Sequence, residues 1–344
     1  MSDGPVITTI LPTYRRPALL ARAIASVRSQ TYRRFRLCVL DNASGDQTRN
    51  VVESARAADS RVEYYEQPRN LGAFENFRAG LQQARTPLFH FLSDDDILMP
   101  DLYEMAVGEL DRHAEALFAV SRVLQVDAQG NLLNLDGWAW SPGLYRPPAG
   151  FSQLLRAGHI TWTGTVFRRE VLDQVGDFDA QAWAVFDLDF ALRLTARTAF
   201  VVCKRAGATY LSGAREVAID NIVESWEKMT RNVAADPALP PALRLEAEKV
   251  LTQRLVGLVY RTGRAAARKG RSDQAMRAAR LLREKYARPG AALLIEAAAA
   301  ACRGVLPLRS GLGLLLSGYR RIHSQQLRRR LDPAERRLFE SSRV

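Results

Sequence analysis

The chain has 344 residues, of which 47% are hydrophobic and 25% are charged, and its formal net charge is +12. This length allows two domains of about 100 to 200 residues, and the composition excludes a disordered or fibrous protein. Three widely separated cysteines and four histidines without metal-ligand spacing argue against a disulfide framework and a zinc site. The first residues lead straight into a strand-like run, so we expect a cytoplasmic protein.

The excess positive charge is confined to the C-terminal part of the chain. Residues 1–219 contain 24 basic and 25 acidic residues, whereas residues 220–344 contain 25 basic and 12 acidic residues. The composition changes at the same place, from alternating strand and helix patterns to a stretch rich in Ala, Leu and Arg. We therefore predict one domain over 1–219, with halves 1–100 and 101–219, followed by a basic, all-α region over 220–344.

Short apolar strands alternate with amphipathic helices through the first hundred residues. The patterns predict strands at 6–11, 35–40, 62–65 and 88–92, and helices at 17–30, 47–58 and 71–84. This alternation is typical of βαβ units, so we expect an α/β fold with a Rossmann-like, mostly parallel sheet flanked by helices. Ligands of such sheets bind beyond the carboxyl ends of the strands.

Polar side chains follow each of the four predicted strands. In chain order they are Thr13, Tyr14 and Arg16, then Asp41 and Asn42, then Arg69 and Asn70, and finally Asp94, Asp95 and Asp96. These residues place a hydroxyl, a carboxylate, a cation and an acidic cluster at one rim, the edge of the sheet where the strands end. Such a set of groups suits the binding of a nucleoside diphosphate. No glycine-rich phosphate loop occurs in the sequence, so metal and side chains must hold the phosphates.

The acidic run Asp94–Asp96 directly follows the fourth predicted strand. Adjacent carboxylates repel one another, so the run persists most easily beside a divalent ion or a cationic partner. Oxygen ligands suit Mg²⁺ or Mn²⁺, which usually keep waters and take substrate phosphates as further ligands. The alternative is a solvated loop that caps the helix expected at Pro100.

These motifs resemble those of the family 2 glycosyltransferases, which have the A-type nucleotide-sugar fold. The resemblance is carried by Ile10–Arg16, Leu40–Asp46, Arg69–Gly72 with Asn76, and Leu92–Asp96. It implies that Asp95 is the metal ligand, with Asp96 as a second candidate. It also implies a nucleotide site made of Pro12, Thr13, Tyr14, Arg16, Asp41, Asn42, Arg69, Asn70, Gly72 and Asp94.

The second half of the predicted domain continues the resemblance through Thr163–Arg169, Val175–Asp179 and Phe186–Arg193. In that match Asp187 is the catalytic base, and Phe186 stands where the family usually has glutamate. Without the resemblance, Asp187 would be equally well explained as a helix cap.

Acceptor contacts are expected from the second half as well. Its Gly/Pro-rich loop over 137–145 carries tryptophans that could stack on a sugar or pack on the core. The family's usual histidine is missing near residue 210, where Ser212 or Arg215 could reach the phosphates instead. The acceptor candidates are Trp138, Trp140, Trp162, Thr163, Asp189 and Arg193.

The resemblance implies a metal-dependent, inverting transfer of a sugar from a UDP- or dTDP-sugar to a saccharide or lipid-linked saccharide, with Mn²⁺ or Mg²⁺ as cofactor. Such a reaction suits surface polysaccharide or glycoconjugate synthesis. We expect the basic helices to contact the inner face of an anionic membrane, or to pack on the first domain or on a second copy of the chain. Nucleic acid is not expected as a partner, because stacking aromatics are not interleaved with the basic residues. The alternatives are a silent sugar-nucleotide-binding protein and a protein that binds a membrane or a partner through its basic helices.

Overall fold

The structure is a computed structural model that describes residues 4, 6–136, 139–158, 160–212, 217–304, 324–331 and 333–341. The chain divides into two compact units. The first, the sheet unit, comprises Met1–Ala180, Phe186–Ala214 and His323–Val344, and the second, the helical unit, comprises Gln181–Val185 and Arg215–Ile322. The change of unit near residue 215 lies close to the boundary expected from charge, and the last segment of the chain groups with the sheet unit.

The sheet unit begins with strands and helices that alternate along the chain. They are β1 (Ile7–Thr13), α1 (Pro17–Arg28), β2 (Phe35–Asp41), α2 (Thr48–Ala58), β3 (Val62–Glu66), α3 (Ala73–Leu81) and β4 (Leu88–Phe91). The wholly buried β1 pairs in parallel with β2 on one side and with β4 on the other. Pro17 opens α1, where the missing N–H of proline leaves no helical hydrogen bond unmade. The predicted α/β fold is confirmed, and this half of its sheet is parallel.

The second half of the sheet is mixed. Its elements are β5 (Ile97–Leu98), α4 (Leu102–Arg112), β6 (Ala116–Val126), β7 (Leu132–Asp136), β8 (Gly143–Tyr145), α5 (Ala149–Ala157), β9 (Thr165–Arg168), α6 (Val171–Val175), α7 (Phe186–Arg197) and β10 (Ala199–Leu211). The strand order is β3-β2-β1-β4-β9-β6-β10-β5, with β7 beside β6 and β8 beside β10. β9 is antiparallel to both β4 and β6, whereas β10 is parallel to β6.

Close packing joins the helices and the connecting turns to the sheet. A Cβ atom at Gly80 in α3 would come within 2.3 Å of Ile10 Cγ2 in β1, so the position admits only glycine. At the end of β4, Phe91 stacks on Trp162 with ring centroids 4.6 Å apart, and Trp162 stacks on Phe178 at 5.2 Å. These buried rings hold the end of β4 against the chain that precedes α7.

The helical unit contains α8 (Ile219–Ala234), α9 (Pro241–Arg268), α10 (Ser272–Arg280) and α11 (Pro289–Gly304), with a π-helical turn at Leu281–Lys285. A Cβ atom at Gly263 in α9 would lie 2.6 Å from Ile295 and 2.7 Å from Ala278, so three helices meet at this glycine. The prediction of a helical C-terminal region is confirmed. None of the helices in the described part of the chain has both the length and the apolar character needed to span a membrane.

The last described segments, 324–331 and α12 (Pro333–Ser341), pack on the sheet unit. Glu335, 2% exposed, accepts a hydrogen bond through Oε1 from the backbone N of Ala206 in β10 at 3.0 Å. The apolar cluster beneath these segments consists of Met99, Leu124, Leu132, Leu135, Ala206, Leu327, Leu331 and Phe339. These contacts cover the part of the sheet built from β6, β7 and β10.

Candidate active site

The acidic run lies just beyond β4, and its first two carboxylates bind groups from the end of β1. Asp94 Oδ2 accepts a hydrogen bond from Thr13 Oγ1 at 2.8 Å. Asp95 Oδ2 pairs with Arg16 Nη1 at 2.7 Å, and the same nitrogen lies 3.4 Å from Asp94 Oδ1. Because Asp94 is 1% exposed, these donors offset the cost of burying its charge.

The third carboxylate, that of Asp96, binds the other half of the sheet. Its Oδ1 accepts a hydrogen bond from the backbone N of Leu211 at 3.0 Å, and its Oδ2 accepts one from Thr163 Oγ1. Asp96 is 1% exposed. Its carboxylate therefore ties the loop after β4 to the end of β10 and to the turn before β9. The expected metal contact of Asp96 stays a prediction, and the contacts described here favour a role in holding the loop.

The loop after β1 is fastened to the loop after β2. Pro12 and Thr13 are buried in β1, whereas Tyr14 is half-buried beyond it. The backbone N of Arg15 donates to Ser44 Oγ at 2.9 Å, and Arg15 Nε donates to Ser44 O at 3.0 Å. The two predicted nucleotide loops thus form one connected rim.

Asp41 ends β2, is 1% exposed and is held from two sides. Its Oδ1 accepts a hydrogen bond from Ser44 N at 3.0 Å, and its Oδ2 accepts one from the Tyr64 hydroxyl at 2.6 Å. Burial, together with this hydrogen bond to Asp41, raises the pKa of Tyr64 above its usual range. The orientation of the carboxylate is therefore set before any ligand binds.

The loops after β2 and β3 are joined by amide side chains. Asn42 Nδ2 donates to Asn70 Oδ1 at 2.9 Å and to Gly72 O at 3.3 Å, while Asn42 Oδ1 accepts from Leu71 N at 2.8 Å. Gly72 has a φ of +81°, a conformation that favours glycine. Arg69 is exposed on this loop, where its cation faces solvent.

The predicted base, Asp187, lies in the first turn of α7. It is half-buried, and its Oδ1 accepts a hydrogen bond from Leu188 N at 2.8 Å. The ring of Phe186 packs edge-on against Trp162, with centroids 5.2 Å apart. Because Trp162 directly precedes Thr163, which bonds to the acidic run, a short series of contacts joins that run to the start of α7.

Two further acceptor candidates, buried Asp189 and partly exposed Arg193, form an ion pair within α7. Asp189 Oδ2 accepts a hydrogen bond from Arg193 Nε at 2.8 Å, and Arg193 Nη1 donates to Val175 O at 2.5 Å. Burial raises the pKa of Asp189, and the charge of Arg193 opposes that shift. The pair fixes α7 to the end of α6 and so supports the helix that carries Asp187.

The tryptophans expected on the acceptor side are buried where the structure describes them. Trp140 is 2% exposed and packs edge-on against Phe200, with centroids 5.6 Å apart. Trp162 is 8% exposed, and phenylalanine rings pack closely around it. Trp138 and Arg215 lie outside the described residues.

The acidic loop suits a metal ion that arrives with a phosphate ligand. Within the described ranges, no group of three or more His, Cys, Asp or Glu side chains is arranged to hold a metal. Mg²⁺ is often bound through one or two carboxylates, with substrate phosphates and water completing its coordination. Asp95 provides one such carboxylate, and Asp94 lies beside it, with its Oδ1 at a longer distance, 3.4 Å, from Arg16 Nη1. Both oxygens of Asp96 accept closer hydrogen bonds from within the protein.

Residues 8–176 match the family model described as Glycosyl transferase family 2. These residues belong to glycosyl transferase family 2. The match runs from β1 to α6, so it includes the connected rim and the acidic run and ends before Asp187.

Individual relatives resemble parts of the chain. The GalNAc(5)-diNAcBac-PP-undecaprenol beta-1,3-glucosyltransferase of Campylobacter jejuni is 35% identical over 96 residues, which are 28% of this chain and 31% of that protein. Chondroitin synthase of Escherichia coli is 24% identical over 136 residues, which are 40% of this chain and 20% of that protein. The chain thus spans a fifth to a third of the length of these relatives.

Solved structures share the fold of this chain. S. aureus TarS 1–349 in complex with UDP-GlcNAc superposes with a TM-score of 0.58 at 15% identity, covering 70% of each chain. The mannosyltransferase PcManGT of Pyrobaculum calidifontis, in complex with GDP-Man and Mn²⁺, gives a TM-score of 0.54 at 17% identity and covers 99% of this chain and 86% of that one. The prediction of an A-type glycosyltransferase fold is confirmed.

Two residues of the candidate site, Ser44 and Tyr64, were not predicted from the sequence. Ser44 could have been found, because aspartate side chains in turns commonly accept a hydrogen bond from a backbone N–H a few residues later. No local sequence pattern indicated that Tyr64 would contact Asp41. Its contact with Asp41 depends on the register of β3 against β2, in which Tyr64 lies opposite Val39.

Proposed function

We propose that the chain transfers a sugar, with inversion, from a UDP- or dTDP-sugar to an acceptor hydroxyl in surface polysaccharide or glycoconjugate synthesis. The observation that carries the proposal is the edge of the sheet where Asp94 binds Thr13 at the end of β1 and Asp95 binds Arg16 just before α1, beside Asp41 at the end of β2. Membership of residues 8–176 in family 2 supports the same reaction class.

On this rim, each group has a proposed role toward the donor. Asp41 accepts a hydrogen bond from the base, since its carboxylate is already oriented by Ser44 and Tyr64. Arg69 faces the phosphates from the loop after β3. Asp95 and Asp94 are the residues that would hold Mn²⁺ or Mg²⁺, and when bound the ion would neutralise negative charge on the diphosphate.

Asp187 is proposed as the general base. Its carboxylate accepts the proton of the acceptor hydroxyl while that oxygen forms a bond to the anomeric carbon of the sugar. The bond from that carbon to the diphosphate breaks on the opposite face, and the diphosphate leaves with the electron pair. The half-buried position of Asp187 and its link through Trp162 to the acidic run support this role.

Calorimetric binding of UDP and dTDP, with and without Mn²⁺, tests the nucleotide site. Intact protein should bind one of them more tightly with Mn²⁺, Asp95→Ala should lose the metal-dependent part, and Asp187→Asn should keep binding but lose transfer. Absence of any nucleotide binding by folded protein would contradict the proposed function. Binding by Asp187→Asn with undiminished transfer would contradict the role of the base.

We also propose that the helical unit touches an anionic membrane, which suits a lipid-linked acceptor such as the one in the name of the Campylobacter relative. The stretch 250–272 contains no Asp or Glu. Arg261, Arg264 and Arg268 are exposed on α9 and spaced three and four residues apart, so they share one face of the helix. Each basic residue near an anionic surface contributes about 1 kcal/mol.

Flotation of the full chain with phosphatidylglycerol vesicles tests this contact. Replacing the three α9 arginines with Gln should release the protein from the vesicles. The charge-matched control replaces three exposed arginines of the sheet unit, Arg22, Arg85 and Arg156, and should keep binding. Equal binding by both triple variants would contradict the assignment to α9.

A further inference from the structure

The acidic run is paired with a partly exposed cation, Arg16. Asp94 and Asp96 accept hydrogen bonds from the buried hydroxyls of Thr13 and Thr163. Asp95 instead bonds to Arg16, whose side chain is 25% exposed while that of Asp95 is 7% exposed. The partner of Asp95 is therefore a long, partly exposed side chain. Its departure would also break the 3.4 Å contact with Asp94 Oδ1, but would leave the hydrogen bond from Thr13 to Asp94 in place.

A metal ion bound to Asp95 Oδ2 would compete with Arg16 for that oxygen. Mg²⁺ binds oxygen ligands at about 2.0–2.1 Å. The Arg16 nitrogen already lies 2.7 Å from Asp95 Oδ2, so an ion on that oxygen would face the positive guanidinium across a few ångströms. Repulsion between the two cations opposes simultaneous binding, and a metal without an accompanying anion must therefore break the ion pair.

We propose that Arg16 is a resident counter-cation of the acidic loop, displaced from Asp95 by the metal when a nucleoside diphosphate arrives, and that its guanidinium then binds the diphosphate. This inference rests on the proposed function. The diphosphate supplies the negative charge that lets both cations remain at the site. The exchange makes metal and nucleotide bind cooperatively, and each strengthens the other by the same factor.

Titration of the full-length protein with MnCl₂, in the absence of nucleotide, tests the exchange directly. Arg16→Gln should bind Mn²⁺ at least tenfold more tightly than the intact protein, because the competing cation is gone. Arg28→Gln is the matched control, since Arg28 is also a partly exposed arginine of the sheet unit paired with an aspartate, at 3.3 Å, and should leave Mn²⁺ affinity unchanged. Arg16→Lys keeps the charge but not the planar guanidinium, and should give an intermediate affinity.

The same titrations with UDP present complete the test. UDP should strengthen Mn²⁺ binding by a larger factor in the intact protein than in Arg16→Gln, and Arg16→Gln should bind UDP–Mn²⁺ more weakly because a diphosphate ligand is missing. The exchange would be overturned if, without nucleotide, Arg16→Gln bound Mn²⁺ no more tightly than the intact protein. If Arg16→Gln does not fold, an Mn²⁺ affinity of Arg16→Lys equal to that of the intact protein would overturn it. Failure of the proposed function has a different signature: intact protein would then bind UDP neither with nor without Mn²⁺.

Discussion

Asp95 and Asp96 are adjacent in sequence, yet their replacement by Ala should affect different properties, ligand binding for Asp95 and folding stability for Asp96. The carboxylate of Asp96 accepts hydrogen bonds from Leu211 N and Thr163 Oγ1 inside the protein, and the residue is 1% exposed. Asp95 is paired with a partly exposed arginine. We therefore expect Asp96→Ala to lower the stability of the sheet unit, and Asp95→Ala to lower metal-dependent nucleotide binding.

The magnitudes follow from the two environments. A hydrogen bond to a charged group contributes about 1.5–3 kcal/mol, and a buried donor left without an acceptor costs a further 1–3 kcal/mol. Removing the buried carboxylate of Asp96 also recovers part of its desolvation cost, so we expect a net loss of about 2–4 kcal/mol. An ion pair at a partly exposed site contributes about 0–1 kcal/mol, and Asp95→Ala also relieves repulsion within the acidic run.

Urea unfolding followed by circular dichroism measures the stability change, and calorimetry with UDP and Mn²⁺ measures binding. The expected result is a clearly lower midpoint for Asp96→Ala and a nearly unchanged midpoint for Asp95→Ala. The roles assigned to the two aspartates are refuted if the free energy of unfolding of Asp96→Ala lies within about 1 kcal/mol of that of the intact protein and the variant loses metal-dependent nucleotide binding as completely as Asp95→Ala. That outcome would mean that Asp96 contacts the metal and not the end of β10.

Three further predictions concern the support of the site. Phe339→Ala should cost about 3–5 kcal/mol in urea unfolding because the ring is 1% exposed, whereas the exposed neighbour Glu340→Ala should change little; equal effects would contradict the packing of α12. Tyr64→Phe should weaken UDP binding about five- to tenfold by freeing one oxygen of the Asp41 carboxylate, the proposed contact to the base; Tyr65→Phe, whose hydroxyl bonds to Glu63, should not. Burial lowers the pKa of His90 to about 4, so the unfolded chain binds more protons between about pH 6.5 and 4 and stability falls as the pH drops through that range. Unfolding at pH 5 and 7 should show that loss at up to about 1.4 kcal/mol per pH unit, and His90→Gln should reduce the slope; an unchanged slope would refute the assignment.

Much of the fold could be predicted because it depends on patterns that are local in the chain. The four predicted strands and three predicted helices of the first hundred residues correspond to β1–β4 and α1–α3 within a few residues at each end. The spacing of hydrophobic residues indicates each strand and helix without knowledge of the elements that it packs against. The acidic run after β4 follows from the same logic, because parallel strands present their carboxyl ends on one edge. The acidic start of α7 follows only from the family resemblance.

The tertiary structure decided which neighbours each of these residues has. Asp95 meets Arg16 and Asp96 meets Thr163, although consecutive aspartates look alike in sequence. The insertion of antiparallel β9 between β4 and β6, and the contact of Tyr64 with Asp41, depend on strand order and register. These features arise from contacts between residues far apart in the chain, and their free energy exists only once both partners are brought together by packing. The sequence by itself thus determined the elements and the polar groups available at the strand ends, and packing between distant residues determined which protein groups each carboxylate contacts.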